Sequence, residues 1–269
     1  HVLRFRVYWQ KSRVLTRRSV PVAHRMLFFD IETSNLEANF GTILCIGYRW
    51  LGQAANQTKV LSIQDVNGIC KACKRVDQPT NDKALLQAVT PILSSADSWF
   101  TWFGAAPYGF DERFINSRLI YHRLPPLPPV FHVDGWKTAK TQLHLNSNRL
   151  ASVQAFLELP TAKSALAPTA WNLAKAGDVK GLQYVIGHCR LDVNVLPEAY
   201  QRLLPLIKRH PNLNLFGNGQ GCPNCQSTHF QRRGVAHAST GTYPRYQCQS
   251  CGKWLRGTKA EKRTTLVGI

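Results

Sequence analysis

Apolar residues fill most positions from Arg25 to Thr33, a run that predicts a central strand covered on both faces. Thr42–Trp50 and Gln57–Ile63 follow as two more strands, with Gly52, Gln53 and Asn56 as turn material. Asp82–Leu93 reads as a helix with Asn81 as its N-cap. Trp99–Phe103 reads as a buried strand ending at Gly104. The span 108–122 reads as a helix carrying Phe110, Phe114, Ile115 and Leu119 on one face. Pro125 to Pro129 form a rigid loop into a short strand, Val130–Val133. Residues 148–200 are helical in pieces, broken by Pro160 and Pro168. The last long helix starts near Lys180 and buries Leu182, Val185, Cys189, Val193 and Leu196, with Pro197 and Pro205 to punctuate or kink it. Ahead of all this, residues 1–24 alternate in short stretches that predict a basic hairpin arm. Three strands, then helix, strand, helix, strand and helix, predict an α/β fold: one mixed five-stranded sheet flanked by helices. The Asn- and Gly-rich loop 212–221 marks a boundary, giving a domain over 25–211, a small module over 217–257 and a basic tail over 258–269.

Against this pattern four acids stand out. Asp30 and Glu32 interrupt the most apolar strand, Asp111 lies near the start of a helix, and Asp192 lies on the last long helix. The chain has only 15 acidic residues in 269, so their placement is informative. A carboxylate in an apolar run costs several kcal/mol of desolvation, on the order expected for a buried ion, unless a cation neutralises it. Asp30 and Glu32, two apart on a strand, project to one face about 6.6 Å apart. Tyr184, His188 and Asp192 are spaced by four and share a helix face distinct from the apolar stripe. Four carboxylates nearly balance two hard divalent cations, which points to Mg²⁺ or Mn²⁺ and phosphodiester chemistry. His188 has the side chain suited to take a proton from an attacking water near neutral pH.

Charge sharpens the picture. The net charge is +19, with seven Lys/Arg and no acid before Asp30, 16 basic against 14 acidic residues over 30–198, and 11 basic residues against Glu261 alone from 199 onward. Two basic flanks around a near-neutral, carboxylate-bearing middle predict a polyanionic partner, nucleic acid, held from both sides. No apolar run reaches the ~20 residues of a membrane span, and neither flank is a basic amphipathic helix, so no membrane partner is expected.

Cys222-x-x-Cys225 and Cys248-x-x-Cys251 are two knuckles separated by 22 residues, a spacing that surrounds one structural tetrahedral Zn²⁺ with a hairpin between. Close cysteine pairs of this kind imply an intracellular, reducing compartment (cytoplasmic) rather than a disulfide framework. Phe230, Arg232, Arg233, His237, Tyr243, Arg245, Tyr246, Lys253, Trp254 and Arg256 interleave basic and aromatic side chains, suited to neutralising a backbone and stacking on bases. Cys70-x-x-Cys73 is a further knuckle without an evident partner pair, read as loop cysteines.

At these residues the chain resembles the DEDD superfamily of 3′–5′ exonucleases, which share the ribonuclease-H-like fold. Phe29-Asp30-Ile31-Glu32-Thr33 is similar to the first exonuclease motif, Trp102-Phe103-Gly104 through Phe110-Asp111-x-x-Phe114-Ile115-x-x-Arg118 to the second, and Tyr184-x-x-x-His188-x-x-x-Asp192-Val193 to the third. The match spans roughly 25–207, and the tail resembles the zinc-ribbon family. The resemblance implies that Asp30, Glu32, Asp111 and Asp192 bind two Mg²⁺ or Mn²⁺ in a two-metal mechanism releasing nucleotides from a 3′ end. Single-stranded or 3′-ended DNA is the expected substrate, RNA exonuclease and structure-specific endonuclease being the enzymatic alternatives and a non-catalytic binding module the other. The family's histidine branch sets its base five residues before the last Asp and its tyrosine branch four. Here His188 stands at the tyrosine spacing, so either His188 takes that place or Tyr184 serves from two turns away; one helical turn favours His188. Asp134 is read as a supporting acid or a helix cap, Lys137 and Lys140 as phosphate contacts or solvated surface, and Asn116 and Arg118 as DNA contacts or packing groups.

Overall fold

The computed structural model describes residues 24–160, 167–217 and 219–267. Apart from His24, the arm expected over 1–24 lies outside these residues. The sheet begins with β1 (Met26–Thr33), β2 (Ile43–Trp50) and β3 (Lys59–Ser62). A single turn, α1 (Ile63–Val66), and a two-stranded ribbon, β4 (Ile69–Cys70) with β5 (Arg75–Val76), lead to α2 (Lys83–Ser94), β6 (Ser98–Thr101) and α3 (Asp111–Tyr121). Then come β7 (Phe131–Asp134), α4 (Gly135–Gln142), α5 (Leu150–Phe156), α6 (Pro168–Lys175) and α7 (Val179–Leu203). The main sheet has the order β3-β2-β1-β6-β7, antiparallel on the β3 side and parallel from β1 to β7. The expected mixed five-stranded sheet with flanking helices is therefore present.

β1 is central and alternates between two cores. Leu27, Phe29 and Ile31 join Leu85, Leu86 and Val89 of α2 and Phe114, Ile115 and Leu119 of α3. Met26 and Phe28 face the other way, onto Val195, Leu196 and Tyr200 of α7. Each such fully buried side chain stabilises the fold by roughly 1.5–3 kcal/mol. The same alternation puts Asp30 and Glu32 beyond Phe28 on the α7 face. Gly47, opposite Asp30, lets α7 settle there: a Cβ on it would lie 2.8 Å from both Cys189 Sγ and Val193 Cγ2.

Several local expectations change. The third strand starts at Lys59 because Ala55–Gln57 forms a 3₁₀ turn. The β6 strand ends at Thr101, and Phe103 turns into the left-handed region at φ +64°. The helix expected over 108–122 starts only at Asp111. The last helix runs through Pro197, which is buried, and stops just before Pro205. Asn81 is not the cap of α2. Asp82 is, and its buried carboxylate instead accepts bonds from Ile43 N, Arg118 and His122 at 2.6–2.9 Å. Arg118 is thus withdrawn from solvent, and Asn116 accepts from Leu127 N at 2.9 Å, so the packing reading fits both.

The C-terminal module is a hairpin of β8 (Phe230–Ala238) and β9 (Gly241–Cys248), flanked on β9 by β10 (Trp254–Arg256) and β11 (Lys262–Arg263). Its sheet extends past 257 into the expected tail. It docks on the end of α7: Asn224 Nδ2 donates to Leu204 O at 3.1 Å, Lys253 Nζ to Ile207 O at 2.6 Å, and Cys225 and Cys251 pack against the Tyr200 core. Among the described residues no helix is long and apolar enough to cross a membrane.

Candidate active site

Parallel pairing of β1, β6 and β7 brings three strand ends to one sheet edge, and the expected residues gather there. Asp30, Glu32, Asp111, His188 and Asp192 line one open cleft of about 610 Å³, rimmed by Leu36, Trp102, Phe103 and Phe110. β1 supplies two acids by its pleat. Asp111 arrives on the first turn of α3, after the Trp102–Phe110 loop. α7 supplies His188 and Asp192 one turn apart, with His188 Nε2 3.7 Å from Asp192 Oδ2 and 4.0 Å from Glu32 Oε1. Trp171 of α6 sets its ring edge-to-face against His188, 5.2 Å between centroids, and Tyr184 meets the same indole at 6.3 Å. Tyr184 is not among the side chains lining the cleft.

The loop carrying Asp111 is pinned in two ways. Gly104 is required because a Cβ there would collide with Asp111 Oδ2 and Thr101 Oγ1. Asp134 both caps α4, accepting from Lys137 N at 3.2 Å, and accepts from Phe103 N at 3.1 Å and Ala105 N at 3.2 Å. Asp134 is therefore the cap of α4, and its carboxylate also holds the backbone of the loop that leads to Asp111. The sequence gives no sign of a second bracket: His132 bridges Thr101 Oγ1 and Glu112 Oε2, each at 2.8 Å, tying β6, β7 and α3 together behind Asp111. Glu112 and His132 look like ordinary helix and strand residues; the β6–β7 register sets His132 beside Thr101, and the first turn of α3 carries Glu112 to it.

Electrostatics mark the cleft as short of positive charge. Burial, then Asp30, Cys45, Asp192 and Asp111, push the Glu32 pKa well above the usual carboxylate value. Burial, then Asp30 and Asp134, do the same to Asp111. Asp111 Oδ2 is buried without a hydrogen-bond partner, a costly state for a carboxylate oxygen. An all-oxygen donor set with such an oxygen fits hard divalent cations.

The other expected cluster also forms. The sulfurs of Cys222, Cys225, Cys248 and Cys251 all lie within 4.8 Å of one another, with Cys222–Cys251 at 3.7 Å and Cys225–Cys248 at 3.6 Å. Zinc–sulfur bonds of ~2.3 Å imply tetrahedral sulfur edges of about 3.8 Å, so the set fits. Burial drives Cys225 up to about 11. It also opposes ionisation of Cys248, but the backbone N–H groups of Cys251 and Ser250 prevail and bring that thiol to about 7. Cys70 and Cys73 sit on the β4–β5 turn, Cys73 N donating to Cys70 Sγ at 3.4 Å, and join no larger group among the described residues.

The family RNase_H_2, of the RNase_H superfamily, matches residues 27–204, well over half the chain, and the chain belongs to that superfamily. Its members are commonly nucleases that act on nucleic acid with divalent metals. No curated protein matches the chain.

Proposed function

We propose that this chain is a metal-dependent 3′–5′ exonuclease of the DEDD type acting on DNA, with Asp30, Glu32, Asp111 and Asp192 holding two Mg²⁺ or Mn²⁺ and His188 as general base. The observation that carries the reading is the convergence of those four acids from three chain segments on one cleft, with His188 a single turn from Asp192. Bound there, the cations would neutralise a phosphodiester and favour attack by water. The protein's part is to hold them and the strand end. Glu32 and Asp192 flank His188 Nε2, so a proton taken there would rest between two carboxylates, and the Trp171 ring fixes the imidazole plane. We assign one structural Zn²⁺ to the four cysteines, a zinc ribbon, and place the protein in a reducing compartment where those thiolates persist.

A 5′-labelled single strand incubated with Mg²⁺ or Mn²⁺ tests the activity. A ladder shortening from the 3′ end is expected. Internal cuts would mean an endonuclease, and binding without cleavage a non-catalytic module. Parallel DNA and RNA strands decide the sugar preference.

A further inference from the structure

The carboxylate cleft has a basic extension that the catalytic reading leaves unused. Phe103 forms its lip: the residue is 39% exposed although its backbone holds φ +64°, a conformation unfavourable for a bulky residue. Two bonds hold that conformation, Phe103 N to Asp134 Oδ1 at 3.1 Å and Phe110 N to Phe103 O at 2.6 Å. The ring meets Trp136 edge-to-face at 4.7 Å, and Lys140 Nζ lies 4.6 Å from the indole centroid. Phe103, Trp136, Lys137 and Lys140 share the walls of a depression beside the cleft, and Lys137 continues into a groove of about 400 Å³ walled by Lys208 and Arg209.

All four cations along this path are exposed, and among the described residues no carboxylate pairs with Lys137, Lys208 or Arg209. Asp134, the acid on the groove wall, is buried and engaged by backbone N–H groups. The turn bearing Lys208 and Arg209 is held by Lys253 of the cysteine module through the Ile207 carbonyl. An aromatic step followed by unpaired cations suits a strand whose bases stack while its phosphates are neutralised.

We infer that this groove is a second binding site, for the phosphodiester backbone of a single-stranded nucleic acid whose 3′ end occupies the carboxylate cleft. The strand passes over Phe103 and Trp136 and lays its upstream phosphates on Lys137, Lys208 and Arg209. The inference rests on the proposed nuclease reading for the strand's direction, and the test below separates the two.

Binding of a fluorescent single-stranded oligonucleotide to the full chain, followed by anisotropy in EDTA across a salt series, provides that test. Lys208→Ala/Arg209→Ala should weaken affinity about tenfold and lower the salt slope by about 1.4, roughly 0.7 for each phosphate of the single strand no longer neutralised. Lys59→Ala/Lys83→Ala, equal in charge with Lys59 on the opposite edge strand, should change neither by more than about twofold. Equal losses in the two doubles, or none in the first, would overturn the groove. An abasic site next to the 3′ nucleotide should weaken wild-type binding and not that of Phe103→Ala; undiminished discrimination by that variant would also overturn it. If the wild type binds with this pattern and cleaves nothing, the nuclease reading fails and the groove stands. If it cleaves and the groove variants bind normally, the reverse holds.

Discussion

The carboxylate cleft draws its acids from positions 30, 32, 111 and 192, while the thiol cluster takes its four from two local pairs, 222/225 and 248/251. The acids rest on a core that exists without them: β1 alone buries Met26, Leu27, Phe28 and Phe29 almost completely. The thiols have little core of their own, and Cys225 and Cys251 lean on the Tyr200 core at the end of α7. Between residues 219 and 267 only Cys222, Asn224 and Cys248 are buried. The sulfurs nonetheless converge within 4.8 Å, whereas the acids, all of one sign, face a wider open cleft. One site is a charged opening in a fold that is stable around it. The other is a small sheet assembled around four converging thiols.

The largest effect tests that contrast directly. Structural zinc contributes on the order of 10–16 kcal/mol to small modules of this kind. Chelation, or Cys248→Ser, should therefore erase amide-exchange protection across 219–267 while leaving β1, β2 and β6 protected. Hydrogen exchange read by mass spectrometry checks this, and a module still protected without metal would break the comparison. At the other site, Asp111→Asn should cut turnover at least about 10³-fold, the several kcal/mol that metal-held charge supplies at a phosphoryl centre. It should also raise the melting temperature of the metal-free protein, because it removes one of the repelling acids. A melting temperature that falls would mean the cleft is part of the scaffold after all.

Next in size is a purely structural charge. Asp82 is buried and shared by Arg118 and His122. Asp82→Ala strands the Arg118 guanidinium and should cost about 3–5 kcal/mol in a urea titration. His188→Ala should lower turnover by roughly 10²–10⁴-fold with metal affinity kept, and Tyr184→Phe should be mild. The reverse ranking would move the base to Tyr184.

The sequence shows the carboxylate and cysteine clusters more plainly than the ion pair that holds α2, α3 and β2 together. Asp30 and Glu32 announce themselves because a strand pleat repeats every two residues and the run around them is apolar. The knuckles do so because their ligands are close in the chain. Asp82 carries no such mark. It reads as a first-turn helix acid, and the partners that explain it lie 36 and 40 residues away. The same holds for His132 with Glu112, and for Lys208 and Arg209, whose role depends on where the end of α7 meets α4. Asn81 misleads for this reason, and Arg118 stays open between packing and contact: local patterning sees a cap or a cation, while burial and a distant carboxylate decide.

The smallest expected effect distinguishes the acids by sign. Glu32 and Asp111 have raised pKa values in the folded chain, through burial first and neighbouring carboxylates next. A raised carboxylate favours the protonated fold, so its stabilisation is complete below the unfolded pKa of about 4 and is lost as pH climbs through the folded value. Asp82 is shifted the other way: burial opposes its ionisation, but the bonds from Arg118, Ile43 N and His122 prevail and hold its pKa down. Its contribution is present above the unfolded pKa and disappears as pH falls through the folded one. In EDTA, then, the melting temperature should decline from mildly acidic to neutral pH, each tenfold difference in proton affinity between the folded and unfolded chain costing about 1.4 kcal/mol. Mg²⁺ should cancel the decline, since a bound cation favours the ionised acids, and Asp111→Asn should flatten it in part without metal. Asp82→Asn should lower the whole neutral side without changing the slope of its decline, and should flatten the acid limb. Were the decline to survive saturating Mg²⁺, the raised acids would lie outside the proposed cation site, and the contrast between a pre-built cleft and a thiol-centred module would lose its first half.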